Sequence, residues 1–383
     1  MRINIGINAS RARSGGAISH LVGILRELVP AVFNIGRIHV WSYERLIADL
    51  PNKPWLEKHC PDVLNLPLYQ QLLWEFFYLP VELRKKSCQV LLNVDAGSVC
   101  RFRPSVTISQ DMLSYEPGEI DRYGLSLSRL RLIALRYIQN SSLQSAEGSI
   151  FLTHYASKVI QQSCGVLKNV AHVPHGIGAE FFANHCRKPE DQTLGRCLYV
   201  SNALPYKHQW HVVEAVSNLR DQGYDLQLEL VGGGEGAAQR RLDAKIKQRD
   251  PKHLFVTQRD FVPQHTLPQI LANADLFIFA SSCENMPNTL IEAMAAGLPI
   301  ACSDRGPMPE VLQDGGVYFD PERPESIAQA IADLLDHPEK RERLARRARE
   351  LASQYSWKRC AEETFSFLVE SALKSKVLGR KFD

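Results

Sequence analysis

Glu284 and Glu292 bracket the start of a helix: seven residues separate them, Asn285-Met286-Pro287-Asn288-Thr289-Leu290-Ile291. An apolar strand, Leu276–Phe279, leads into the loop that carries Glu284. A helix predicted over Thr289–Ala296 carries Glu292 one turn inside, and Gly297 and Pro299 end it. At the mouth of such a helix, unpaired backbone N–H groups and the positive end of the dipole favour an anion such as phosphate. Two carboxylates flanking an anion site are an odd choice for phosphate alone. They suit a ligand with hydroxyls on both sides of its phosphates, which a nucleotide-sugar provides.

The elements that must hold these groups form two series. In the first, strands are predicted at Arg2–Asn8, Arg37–Ser42, Val90–Val94, Ser105–Ser109, Ser149–Leu152 and Val170–Val173. Helices fall at Ile18–Leu28 and at Ser126–Gln139, the latter strongly amphipathic. The second series runs strand Arg196–Val200, helix Gln209–Leu219, strand Leu226–Val231, helix Ala237–Gln248, strand Leu254–Thr257, helix Leu267–Asn273, strand Leu276–Phe279 and strand Pro299–Cys302. Helices Glu325–Leu335 and Glu339–Ser353 follow, and a last helix, Trp357–Lys374, has no strand after it. Alternating strands and helices predict an α/β chain with two doubly wound parallel sheets. The polar stretch 184–192 reads as the linker. The expected division is 1–186, 187–356 and a terminal helix and tail 357–383, that helix returning to the first domain.

At 383 residues the chain has room for two or three domains. Its 45% hydrophobic and 23% charged residues exclude disorder and a small disulfide scaffold. Nine scattered cysteines without a C-x-x-C pair read as free thiols in a reducing cytoplasm. No signal peptide or membrane-spanning run is visible. His208 and His211, three apart at a helix start, read as a helix turn rather than a metal pair, and no structural metal is expected. The net charge of +3 is unevenly spread: residues 1–186 hold 19 basic and 14 acidic side chains, the remainder 26 and 28. A near-neutral total without a recognition module argues against nucleic acid. A missing G-x-G-x-x-G after the first strand argues against a dinucleotide-binding dehydrogenase.

Glu284 and Glu292, followed by Ala293-Met294-Ala295-Ala296-Gly297-Leu298-Pro299, resemble the E-x7-E signature of the retaining glycosyltransferases of family 4, which have the GT-B fold. Tyr199-Val200-Ser201-Asn202-Ala203-Leu204-Pro205-Tyr206-Lys207-His208 resembles that family's strand and loop ending in a phosphate-binding lysine. Leu230-Val231-Gly232-Gly233-Gly234 resembles its glycine turn, Met308-Pro309-Glu310-Val311 a helix start, and Val173-Pro174-His175-Gly176-Ile177 the end of its first domain. The similarity is dense from about residue 195 to 372. It implies two Rossmann-like domains facing across a cleft.

By this resemblance Glu284 holds hydroxyls of the donor sugar and Glu292 the ribose. Lys207 stabilises the leaving diphosphate, joined by amides around Asn288-Thr289-Leu290 and by Gly15-Gly16 of the first domain; Asn285, Met286 and Pro287 complete that loop. The base lies near Phe261-Val262. Such leaving-group stabilisation is electrostatic and requires neither cofactor nor metal. Two positions depart from the pattern. Asn202 stands where the family often has an arginine, and Gln110 where many members have a histidine, with Asp111 next to it as the substitute.

The implied function is a retaining, metal-independent transfer of a hexose from a nucleotide-diphospho-sugar to a lipid-linked or polysaccharide acceptor. A non-catalytic sugar-nucleotide-binding homologue and a same-fold epimerase or phosphorylase are the alternatives. In the first half, apolar Gln70–Leu79 and the helix bearing Arg129, Arg131 and Arg136 read either as core with solvated arginines or as a surface resting on anionic lipid. The second reading places a cytoplasmic protein at the inner face of the cell membrane.

Overall fold

A computed structural model describes residues 2–13, 15–183 and 195–377, for 376 and 377 the backbone alone. The expected linker 184–192 and the junction at 186–187 lie outside the described residues. The chain divides into two compact units, 1–176 with 356–383, and 177–355.

The first unit is a seven-stranded sheet: β1 (Ile3–Asn8), β2 (Ile35–Trp41), β3 (Leu56–His59), β4 (Val90–Asn93), β5 (Ser105–Ser109), β6 (Gly148–Phe151) and β7 (Val170–His172), in the order β3-β2-β1-β4-β5-β6-β7. Every pairing is parallel. The central strands are buried on both faces, which is why β1 and β4 read as nearly unbroken apolar runs. The edge strand β3 escaped the sequence reading because Leu56-Glu57-Lys58-His59 has one apolar residue in four and a half-buried face.

The second unit has six strands: β8 (Arg196–Val200), β9 (Gln227–Val231), β10 (Val256–Arg259), β11 (Leu276–Phe279), β12 (Ile300–Ser303) and β13 (Val317–Phe319), in the order β10-β9-β8-β11-β12-β13, again parallel. In each unit the order reverses beside the first strand, between β1 and β4 and between β8 and β11. Loops leaving the carboxyl ends of that pair diverge and open a crevice, the place where doubly wound sheets bind ligands.

The terminal helix Trp357–Val377 returns to the first unit and packs on helix Gly15–Glu27 and on β4, β5 and β6. Glycine makes room for it. A Cβ on Gly23 would overlap the Trp357 indole, and one on Gly148 would come within 2.7 Å of the Phe367 ring.

Helix Leu127–Ser145 is capped by Ser126, whose hydroxyl accepts from Arg129 N–H at 3.3 Å. Here the structure corrects the sequence reading. Only Gln139 and Leu143 are buried, while Leu127, Leu130 and Tyr137 face solvent. Periodicity located the helix, but much of its apolar stripe is half-buried or exposed. Gln70–Leu79 is likewise split. Trp74, Glu75 and Leu79 are buried, and Leu73, Phe77 and Tyr78 are exposed.

Candidate active site

Lys207 and Glu284 come from the two loops that flank the β8/β11 switch point. The loop after β8 closes in a short 3-10 turn, Pro205–Lys207, and His208 takes a left-handed backbone (φ 49°) before helix Gln209–Asp221. The Tyr199 hydroxyl donates to Lys207 O at 2.8 Å and anchors the turn to its own strand. The loop after β11 is tied to the same turn, because Ser282 N–H donates to Tyr206 O at 2.9 Å and its hydroxyl lies 2.9 Å from His208 Nε2. These bonds bring two residues 77 positions apart into contact: Lys207 Nζ donates to Glu284 Oε1 as an ion pair, with the two side chains 11% and 15% exposed. The lysine also lies 5.2 Å from the Tyr206 ring centroid.

Helix Asn288–Ala296 begins beside this pair. Leu290 N–H donates to Pro287 O at 3.0 Å and Asn288 N–H to Met286 O at 3.0 Å. The Thr289 N–H has no partner among the described residues, while its hydroxyl donates to Val200 O at 3.4 Å. Asn285 and Met286 are buried under the loop. Gly297, left-handed at φ 74°, ends the helix. Glu292 is 7% exposed and receives one hydrogen bond, from Gln264 Nε2 at 3.4 Å. Burial pushes its carboxyl up to about 8, opposed by that hydrogen bond and reinforced by the charge of Glu180. The carboxyl is thus protonated at neutral pH until something else donates to it.

Around these groups lie the remaining residues of the second unit singled out in the sequence. Asn202 is exposed in the loop after β8. Phe261 and Val262 follow β10, Phe261 being 74% exposed. The glycine turn after β9 has a mainly structural task. Gly232 sits at φ 137°, and a Cβ there would press into Ser201 O. Ala203 N–H donates to Gly233 O at 2.7 Å, which pins the Lys207 loop from behind. A cavity of about 300 Å³ adjoins this turn, lined by Gln209, Gly233, Gln239, Asp243 and Asp260 among others.

Gly15, Gly16 and Asp111 belong to the first unit. Gly15 opens helix Gly15–Glu27, and a Cβ there would meet nothing within 4 Å, so the fold does not itself demand glycine. Asp111 accepts from Leu113 N–H at 3.1 Å and Gln139 Nε2 at 3.3 Å, and burial raises its carboxyl pKa. Gln110 is a framework residue: its amide donates to Val94 O at 2.8 Å and lies 3.2 Å from His20 Nδ1. His208 and His211 are engaged in hydrogen bonds with Ser282 and with Pro321 O, the latter at 3.0 Å.

Sequence reasoning missed a buried polar cluster at the switch point of the first unit. Glu75 Oε1 accepts from Asn8 Nδ2 and Ser98 Oγ, each at 2.6 Å, and from Val99 N–H at 3.2 Å. Beside it, burial lifts the Asp95 carboxyl to about 6 against a 2.6 Å bond from Gly97 N–H. A charged residue inside the apolar run Leu72–Leu79 was the available signal.

Residues 183–351 match the family model described as Glycosyl transferases group 1. That segment falls within the second unit and contains Lys207, Glu284 and Glu292. Among curated proteins, the spore coat protein SA of Bacillus subtilis is 40% identical over 116 residues, 29% of this chain and 31% of that protein. The O-antigen chain mannosyltransferase B of Escherichia coli is 26% identical over 172 residues, 45% of each chain. The matches thus span half or less of those relatives. In structure, sucrose-phosphate synthase from Thermosynechococcus elongatus superposes with a TM-score of 0.78 at 16% identity, covering 99% of this chain and 100% of that one. The two doubly wound units are the GT-B fold.

Proposed function

We propose that the chain is a glycosyltransferase that moves a hexose from a nucleotide-diphospho-sugar to a lipid-linked or polysaccharide acceptor, with retention of configuration and without a divalent metal. The observation that carries this reading is the Lys207–Glu284 pair at the switch point of a unit that matches a glycosyltransferase family model, beside a helix mouth whose Thr289 N–H has no partner among the described residues. The O-antigen enzyme among the relatives supports the acceptor class.

In this reading the diphosphate takes Lys207 from Glu284, and the released carboxylate accepts hydrogen bonds from the sugar. As the bond from the sugar to the diphosphate breaks, charge grows on the departing oxygen. It meets the Lys207 ammonium, the Thr289 N–H and the dipole of helix Asn288–Ala296, all in place beforehand. A fixed cation and a helix mouth supply the stabilisation that a metal gives elsewhere, and this supports metal independence. Glu292, one turn in, receives the ribose hydroxyls, and the exposed Phe261 ring with Val262 offers a face to the base. In the first unit the reading assigns phosphate contact to Gly15 and Gly16, at the start of helix Gly15–Glu27, and an acceptor-side role to Asp111.

The test is transfer by the purified chain with chelator present, using a panel of nucleotide-diphospho-sugars and a glycolipid acceptor, the product anomer read by NMR. Glu284→Gln is expected to lower turnover about 100-fold or more. Unchanged turnover in that variant overturns the reading. Interconversion of two sugar-nucleotides without acceptor identifies an epimerase instead.

Peripheral contact with an anionic membrane at its cytoplasmic face is the second part of the proposal. Tyr69, Leu73, Phe77 and Tyr78 stand exposed, Arg101 lies over the Phe76 ring at 4.2 Å, and Arg84-Lys85-Lys86 ends the same helical stretch. Apolar side chains next to basic ones suit the headgroup region of a bilayer.

A further inference from the structure

We propose that His39, Glu57 and His59 form a divalent transition-metal site, zinc being the first candidate, that clamps the edge strand β3 to β2. This site lies in the first unit and is independent of the donor chemistry above. It departs from the metal-free reading of the sequence, which had no means of placing β3.

Strand register assembles it. In the β2/β3 ladder His39 stands opposite Glu57, and Trp41 opposite His59. Alternate residues share a face of a sheet, so all four side chains emerge together. His39 Nδ1 lies 3.2 Å from Glu57 Oε2 and 3.2 Å from His59 Nε2, and the three donor atoms all fall within 4.8 Å of one another. Zinc–ligand bonds of about 2.0–2.1 Å in a tetrahedron put neighbouring donors roughly 3.4 Å apart, close to the two spacings from His39, while the Glu57–His59 edge is wider but within 4.8 Å.

A single Nδ1 proton serves only one of the two 3.2 Å contacts of His39 at a time. With a proton on Nδ1 directed at Glu57, the second imidazole receives nothing from it. With a lone pair on Nδ1, the nitrogen faces the carboxylate oxygen in repulsion. A cation among the three accepts a lone pair from each. Two imidazoles and a carboxylate suit zinc, and a fourth position remains for water.

The surroundings hold the ligands in place, as outer-shell partners of metal sites do. Trp41 stacks on His59 with centroids 4.7 Å apart, and its Nε1 donates to Glu82 at 2.6 Å. Arg37 binds Glu57 Oε1, and Lys86 Nζ lies 3.4 Å from Oε2. Lys86 therefore competes for one ligand oxygen in the metal-free state.

The test uses the full chain after chelator treatment and dialysis. Zinc chloride is titrated by calorimetry, and cobalt chloride is followed by visible absorption. The expected result is one equivalent per chain, a tetrahedral cobalt spectrum and a higher Tm with zinc. Glu57→Gln and His59→Ala should each weaken binding at least tenfold while keeping the metal-free circular dichroism of the parent. Should His59→Ala not fold, Glu57→Gln decides, because that side chain is partly exposed. No binding by the parent chain, or one-equivalent binding that survives undiminished in Glu57→Gln, overturns the proposal.

Discussion

Lys207 and Glu284 form an ion pair, and this has a measurable effect on nucleotide binding. A nucleoside diphosphate without its sugar must break the ion pair and gives Glu284 nothing in return. Glu284→Gln should therefore bind the bare diphosphate more tightly by calorimetry, even as transfer collapses. Glu292 supplies a second residue-scale prediction. Its carboxyl is held up to about 8 in the fold against 4.5 ordinarily. Between those values the native state keeps a proton that the unfolded chain has lost, so stability falls as pH rises from about 4.5 to 8. Tm measured across that range should decline more steeply for the parent than for Glu292→Gln. Equal slopes would show that the carboxyl is not buried in solution. Both glutamates were legible from local spacing alone. Tyr199, His208 and Ser282 lie in or beside the same two loops, but the hydrogen bonds by which they fix the geometry were not legible, since they depend on how the loops meet.

At the scale of elements, the terminal helix depends on glycine. Gly23→Ala pushes a methyl group into the Trp357 indole, and overpacking of this kind costs about 1–3 kcal/mol. The expected outcome is a lower Tm. An unchanged Tm would mean that the helix does not pack there. The helices and strands whose apolar period is clean, such as β5, β8 and β11, were legible to within a residue. Those missed, β3 and β13 with three or four residues each, are edge strands with weak patterns. Helix Leu127–Ser145 marks the opposite limit, because a periodic stripe says that a helix can be amphipathic and not that a core awaits it.

Across the whole molecule, the charge asymmetry sharpens when drawn at the structural boundaries. The first unit holds 25 basic and 17 acidic side chains, +8, and the second 20 and 25, −5. The returning terminal segment accounts for most of the change, being basic itself. A positive unit that also exposes Leu73, Phe77, Leu127 and Leu130 should sediment with anionic vesicles and lose that binding as salt rises. Replacing Arg84, Lys85 and Lys86 by glutamine should weaken it severalfold at constant donor affinity. Equal sedimentation with neutral vesicles would remove the electrostatic part.

By itself the sequence determined what rests on near neighbours: the order of strands and helices, the helix mouth between Glu284 and Glu292, and the glycines that end or permit a turn. Hydrophobic periods and helix stops act over a few residues, so one chain suffices to read them. The tertiary structure alone decided what depends on strand order and register. It set Lys207 against Glu284 across the β8/β11 switch point, buried Glu75 behind Asn8 and Ser98, and placed His39 opposite Glu57. Those contacts join residues that are remote in the chain, and only the pairing of strands in a sheet determines which remote residues become neighbours.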